Sequence, residues 1–153
     1  MVGGSYYVTS GGVWNWDVIY ISLLYAIGPT SVIFGKHIDK LDKDKDKKVY
    51  TLPVLLGEKL SRYITIFVLF LQIVLVIVTV FTGVLELPVL IVLLALPKYL
   101  KTARLFLQPK PSEPDPVNKT TWPLYFASFA FVYNRKFSLL FLSGLILSLF
   151  YGI

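Results

Sequence analysis

The chain has 153 residues, 56% of them hydrophobic and only 16% charged, with a mean hydropathy of +0.69. A soluble domain of this length cannot bury so much apolar surface, so the composition points to the bilayer as solvent. There is no cysteine, and His37 is the single histidine, which excludes disulfides, thiolate chemistry and histidine-rich metal centres. The net charge of +6 lies at the ends of apolar runs and not along a groove, which argues against a nucleic-acid partner and for anionic lipid headgroups or phosphates.

The N-terminal stretch MVGGSYYVTSGGVWNW lacks the basic and apolar regions of a signal peptide. Five candidate membrane elements follow. The first runs from about Val13 to Phe34, with Asp17 in its first turn, where a helix N-terminus tolerates a carboxylate, and Gly28-Pro29 near its end as an expected kink. The second is the clearest, since nothing between Arg62 and Glu86 is charged. The third starts at Leu87-Pro88, bends at Pro97 and continues past Lys98, Lys101 and Arg104, whose stems are expected to snorkel to the headgroups. Residues 108–121 hold four of the nine prolines and read as a loop. The fourth element, Trp122 to Tyr133, is short for a span, and the fifth, Phe137 to Ile153, is a marginal one. The expected fold is all-α: a single multi-pass membrane domain, 1–153, of about four to five membrane helices.

Lysine and arginine placement orients the chain. The loop 35–59 holds six lysines before Tyr50, and Lys98, Lys101, Arg104, Lys110 and Lys119 come two crossings later, so both groups are expected on the cytoplasmic side. Arg135-Lys136 would then fall outside, a mild violation if the fourth element spans. No span is expected to carry a charge near its midpoint, which counts against an ion pathway. Gln72, Thr79 and Thr65, the polar groups deep in the second element, read as uncharged helix-packing contacts.

The segment GKHIDKLDKDKDKKVYTLPVLLG, Gly35 to Gly57, is where the chain can do chemistry. It carries Asp39, Asp42, Asp44 and Asp46. In a continuous helix Asp39, Asp42 and Asp46 share a face; in an extended loop Asp42, Asp44 and Asp46 do. Either arrangement offers three carboxylates to a hard cation such as Mg²⁺, and the interleaved lysines suit phosphate oxygens. The bland reading is a solvated loop with weak ion pairs and a positive-inside signal. A calcium EF-hand is excluded, because Lys47 and Pro53 stand where its glycine and bidentate glutamate belong.

Taken with the Thr51-Leu52-Pro53-Val54-Leu55-Leu56-Gly57 run, this segment resembles the second aspartate motif of the UbiA superfamily of intramembrane prenyltransferases. The resemblance covers most of residues 13 to 108 and corresponds to the C-terminal half of such an enzyme. It implies an all-helical fold, typically of nine membrane helices, that transfers a prenyl group from an isoprenyl diphosphate to an acceptor such as an aromatic ring or quinone precursor. It implies Mg²⁺ held by two aspartate motifs, with basic residues on the diphosphate. Carried over by position, Asp44 falls on the motif's last aspartate and Asp39 near its earlier one, one residue further away than the usual spacing. These two are the implied catalytic residues. Asp42 and Asp46 join them as candidate metal ligands, and Lys36, Lys40 and Lys45 as candidate substrate contacts. Lys48 stands where many members have glycine. The family's first motif is not found in this chain: Asn15-x-Asp17 lacks the following aspartates. The resemblance therefore implies a partial enzyme that needs an N-terminal half or partner chain. The competing expectation is a non-catalytic membrane protein or subunit that binds anionic or diphosphate lipids.

Overall fold

The computed structural model describes residues 2–111, 113 and 122–151, with only the backbone of Tyr151. Among these, seven α-helices and one 3₁₀ segment account for the ordered elements, and there is no strand. A short helix, α1 (Val2–Thr9), packs on α2 (Trp16–Asp39). Asn15 caps α2 by accepting a hydrogen bond from the Asp17 N–H at 2.8 Å, a local role for the Asn-x-Asp pair. The helix continues through Pro29 and five residues past Phe34, so Gly35 to Asp39 are helical.

Two small helices follow, α3 (Leu41–Asp46) and α4 (Leu52–Leu56), and then the apolar α5 (Glu58–Phe81). The expected third element is a composite: a 3₁₀ segment, Leu87–Ala95, runs directly into α6 (Leu96–Leu107). Pro97 explains the change of helix type. It has no N–H for Leu93 and its ring crowds that carbonyl, so α geometry is disfavoured in the preceding turns. About 18 Å of 3₁₀ helix and about 18 Å of α-helix together exceed the ~30 Å hydrocarbon core.

The expected fourth and fifth elements are one helix, α7 (Tyr125–Tyr151), which carries Asn134, Arg135 and Lys136 through its interior. Nothing in that triplet breaks a helix: it contains neither proline nor glycine, and Asn134 is wedged against Gly28 of α2. The basic pair is therefore not a turn between two crossings, and the expectation of charge-free spans fails here. Leu107 and Tyr125 bracket the expected 108–121 loop, of which 112 and 114–121, with Lys119, lie outside the described residues.

Helices α2, α5 and α7 are each long and apolar enough to cross a bilayer. The 3₁₀–α6 unit follows α7 antiparallel along its length: Val89 faces Gly144, the Tyr99 and Tyr133 rings lie 6.2 Å apart, and those of Phe106 and Phe126 lie 4.9 Å apart. It thus runs the length of a candidate span without being a single helix long and apolar enough to count as one, and the molecule is an integral membrane helical bundle with three candidate spans among the described residues. Helix α2 packs so closely on α7 that a Cβ at Gly35 would lie 2.9 Å from the Ala127 nitrogen. Buried Gln72 ties α5 to α2 through an Nε2–H donated to the Leu24 carbonyl at 2.9 Å. Thr65 and Thr79 bond to carbonyls of their own helix. The main apolar core fills the centre (Leu24, Leu69, Val76, Val89, Tyr133, Phe137), and a second cluster (Ile38, Phe106, Phe126, Ala130) underlies the acidic segment.

Candidate active site

The acidic segment folds into a folded-back cap on one end of the bundle, here called the loop end. Helix α2 stops at Asp39 because Lys40 leaves helical geometry (φ −110°, ψ 12°), and α3 starts in a new direction. This break defeats both expected alignments of carboxylates. Helix α3 ends in a Schellman motif. Val49 N–H donates to the Asp44 carbonyl and Lys48 N–H to the Lys45 carbonyl, both at 2.9 Å, with Lys48 in the left-handed region at φ +54°. That conformation is why glycine suits this position. Pro53 then sits in the first turn of α4, and Gly57, at φ +82°, swings the chain into α5.

The four aspartates go to three places. Asp39 turns toward α7, where its Oδ1 accepts from Phe126 N–H at 3.1 Å and its Oδ2 from Ala127 N–H at 2.9 Å. Lys110 Nζ lies 3.5 Å from the same carboxylate, whose side chain is fully buried. Asp39 thus satisfies two of the donors that every helix N-terminus leaves open, and its charge opposes the positive end of the α7 dipole. Lys110 also stacks over the Trp122 ring at 4.6 Å and donates to the Pro123 carbonyl. Asp44 points back to the last turn of α2, with Oδ2 3.0 Å from His37 Nδ1. Asp42 and Asp46 share the exposed face of α3. Among the described residues, no three carboxylate or imidazole groups converge on one point.

The candidate phosphate-binding lysines border this surface. Lys36 is exposed on the last turn of α2, Lys40 is half-buried at the break, and Lys45 is exposed on α3. A residue outside that set stands out. Arg62, on the first turns of α5, is buried, lies 3.5 Å from Glu58 through Nε and is 6.0 Å from the Phe126 ring centre. Its Nε and Nη1 have no hydrogen-bond partner, and neither has the buried Thr51 hydroxyl at the start of α4. A buried guanidinium with unused donors is costly unless an anion satisfies it. Its sequence signal was the Glu58-x-x-x-Arg62 spacing after Gly57, which on its own reads only as a surface ion pair.

The donor chemistry suits a hard cation, but the arrangement does not make a magnesium shell: both Asp39 oxygens are engaged by α7, and Asp44 turns to His37, away from the face that Asp42 and Asp46 share. No magnesium-dependent step follows from this chain's geometry alone. What the cap does present is a mixed surface of lysines, aspartates and a buried arginine with unused hydrogen-bond donors, directly above an apolar bundle.

Comparison with known proteins agrees with that chemistry. The model of the UbiA prenyltransferase family matches residues 1–126, further in both directions than the aspartate motif alone requires. No curated protein and no solved structure matches the chain. The family match covers most of the sequence, from α1 through the cap to the first turn of α7, and this chain belongs to the UbiA prenyltransferase family.

Proposed function

We propose that the loop end binds the diphosphate of an isoprenyl diphosphate and takes part in transferring its prenyl group to an acceptor, an aromatic ring or quinone precursor. The observation that carries this reading is the buried guanidinium of Arg62, whose Nε and Nη1 make no hydrogen bond, beside the lysine- and aspartate-rich cap of a family member. In this reading Lys36, Lys40, Lys45 and Arg62 contact phosphate oxygens, the guanidinium through its planar fork. Asp44 is the carboxylate directed at the diphosphate, with His37 fixing its orientation. Asp39 joins it only by releasing its hold on α7, and Asp42 and Asp46 are outer carboxylates. Asp44, together with carboxylates of the family's other aspartate motif, would hold Mg²⁺, which would supply positive charge to the leaving group. The allylic C–O bond breaks with its electron pair leaving on the diphosphate. The acceptor carbon then attacks the cation and loses a proton. The apolar bundle excludes the water that would otherwise capture that cation.

Because the carboxylates of this chain do not complete a metal shell, the second reading is binding of lipid diphosphates without turnover. An assay of prenyl transfer separates them, run with the chain reconstituted in vesicles alone and with a polypeptide supplying the family's other aspartate motif. Transfer that is lost in Asp44→Ala, with membrane insertion intact, supports catalysis. Saturable binding with no transfer in either arrangement supports the second reading. The reading places the cap on the cytoplasmic side, and protection of cap lysines from an impermeant amine reagent added outside intact cells tests that.

A further inference from the structure

The basic pair in the middle of α7 belongs to a larger cluster. Lys98 lies within electrostatic range of Lys101, Arg135 and Lys136. Among the described residues none of the four has a carboxylate within ion-pair distance. The aspartates and glutamates of the described crossings, Asp17, Asp39 and Glu58, sit at helix ends.

The packing register fixes how deep this cluster lies. Gly28 against Asn134 and Gly35 against Ala127 put Arg135 level with Ile27 of α2. The Gln72–Leu24 hydrogen bond puts Ile27 level with Leu69 of α5. Tyr99 beside Tyr133 puts Lys98 level with Arg135, and Lys101 one turn nearer the loop end. Arg135 is therefore about seven to nine residues inward of the first charges on α5 (Arg62) and α2 (Lys36), roughly 10–14 Å along the helices. The expected snorkelling of Lys98 and Lys101 is also opposed by direction. Helix α6 runs toward the loop end, so its Cα–Cβ bonds lean away from it. Arg135 and Lys136 are exposed, and Arg135 lines an apolar groove of about 410 Å³ between α2 and α7, with Tyr25, Phe131, Leu139 and Leu142.

Cations at this depth ordinarily pair inside a bundle. With Lys36 and Arg62 taken as the headgroup level, phosphates lie some two turns further out. A second copy of this chain offers at the same level only the same cations and uncharged helix, with no carboxylate among the described residues. We propose that the α6/α7 basic face is the docking site for a further membrane helix that carries aspartate or glutamate about two turns inside the membrane. The groove beside Arg135 takes that helix's apolar side chains, and its carboxylates neutralise the cluster.

The test uses the whole chain in phosphatidylcholine vesicles and two synthetic leucine-rich membrane peptides. One carries two glutamates a turn apart at the matching depth, the other glutamine at both places. Energy transfer between labelled chain and peptide reports association. The glutamate peptide should bind roughly tenfold tighter, the size of an interhelical polar contact. The chain with Lys98→Gln, Lys101→Gln, Arg135→Gln and Lys136→Gln should bind both peptides alike. Equal binding of the two peptides to the unaltered chain would overturn the proposal, whatever the variant does. So would displacement of the glutamate peptide by phosphatidylglycerol added to the vesicles, which would make the cluster a lipid-phosphate site.

Discussion

Replacing Asp39 separates its two possible duties, because one is visible in the backbone and the other only in substrate. Asp39→Ala removes two hydrogen bonds, at 2.9 and 3.1 Å, from the first turn of α7. Hydrogen bonds to a charged group contribute about 1.5–3 kcal/mol each, and loss of a helix cap costs about 0.5–2 kcal/mol. Both bonds serve one carboxylate and do not add fully, so opening of this turn should become easier by about 3 kcal/mol. At 1.4 kcal/mol per tenfold, the Phe126 and Ala127 amides should exchange with deuterium about 100-fold faster. Asp39→Asn keeps one carbonyl acceptor and should fall between, with roughly tenfold faster exchange. The assay is hydrogen exchange read by mass spectrometry on the peptide containing the start of α7. Unchanged exchange of these two amides in Asp39→Ala would refute the capping argument. If Asp39 also serves the diphosphate, Mg²⁺ with an isoprenyl diphosphate should speed the same amides in the unaltered chain.

Lys48→Gly should stabilise the cap by about 1 kcal/mol, because glycine relieves a side chain held at positive φ; slower proteolysis between α3 and α4 would show it. Gly35→Leu should destabilise the bundle by about 1–3 kcal/mol by forcing α2 off α7, seen as a lower midpoint in detergent-induced unfolding. Gln72→Leu should be close to neutral in the same unfolding measurement, since it removes the bond to Leu24 together with a buried carbonyl oxygen that has no partner. Arg62→Lys should weaken isoprenyl diphosphate binding by about tenfold while keeping the charge, because an ammonium cannot reproduce the guanidinium fork.

The membrane character was legible because unbroken apolar runs are an unambiguous signal, as between Arg62 and Glu86. The family was legible because its motif is local: the aspartates run into the segment 51–57, where Pro53 opens a helix and Gly57 takes positive φ, while Lys48 departs from the usual glycine yet keeps its left-handed conformation. Three features were hidden for physical reasons. Arg135-Lys136 looked like a break because sequence alone does not show what packs beside a charge, and Gly28 supplies the space that keeps Asn134 in the helix. The destinations of Asp39 and Asp44 were hidden because a single non-helical residue, Lys40, sends them to different elements. No periodicity argument anticipates that. Arg62 is not legible as a site residue because it is buried beside Phe126, 64 positions away in sequence.

The most direct test of the account is equilibrium binding of a radiolabelled isoprenyl diphosphate to the purified chain in lipid nanodiscs, with Mg²⁺ and then with a chelator. Saturable binding that weakens on chelation and is lost in both Arg62→Ala and Asp44→Ala is the predicted result. Binding unaffected by either substitution, or no saturable binding at all, would contradict the assignment of the loop end as a diphosphate site.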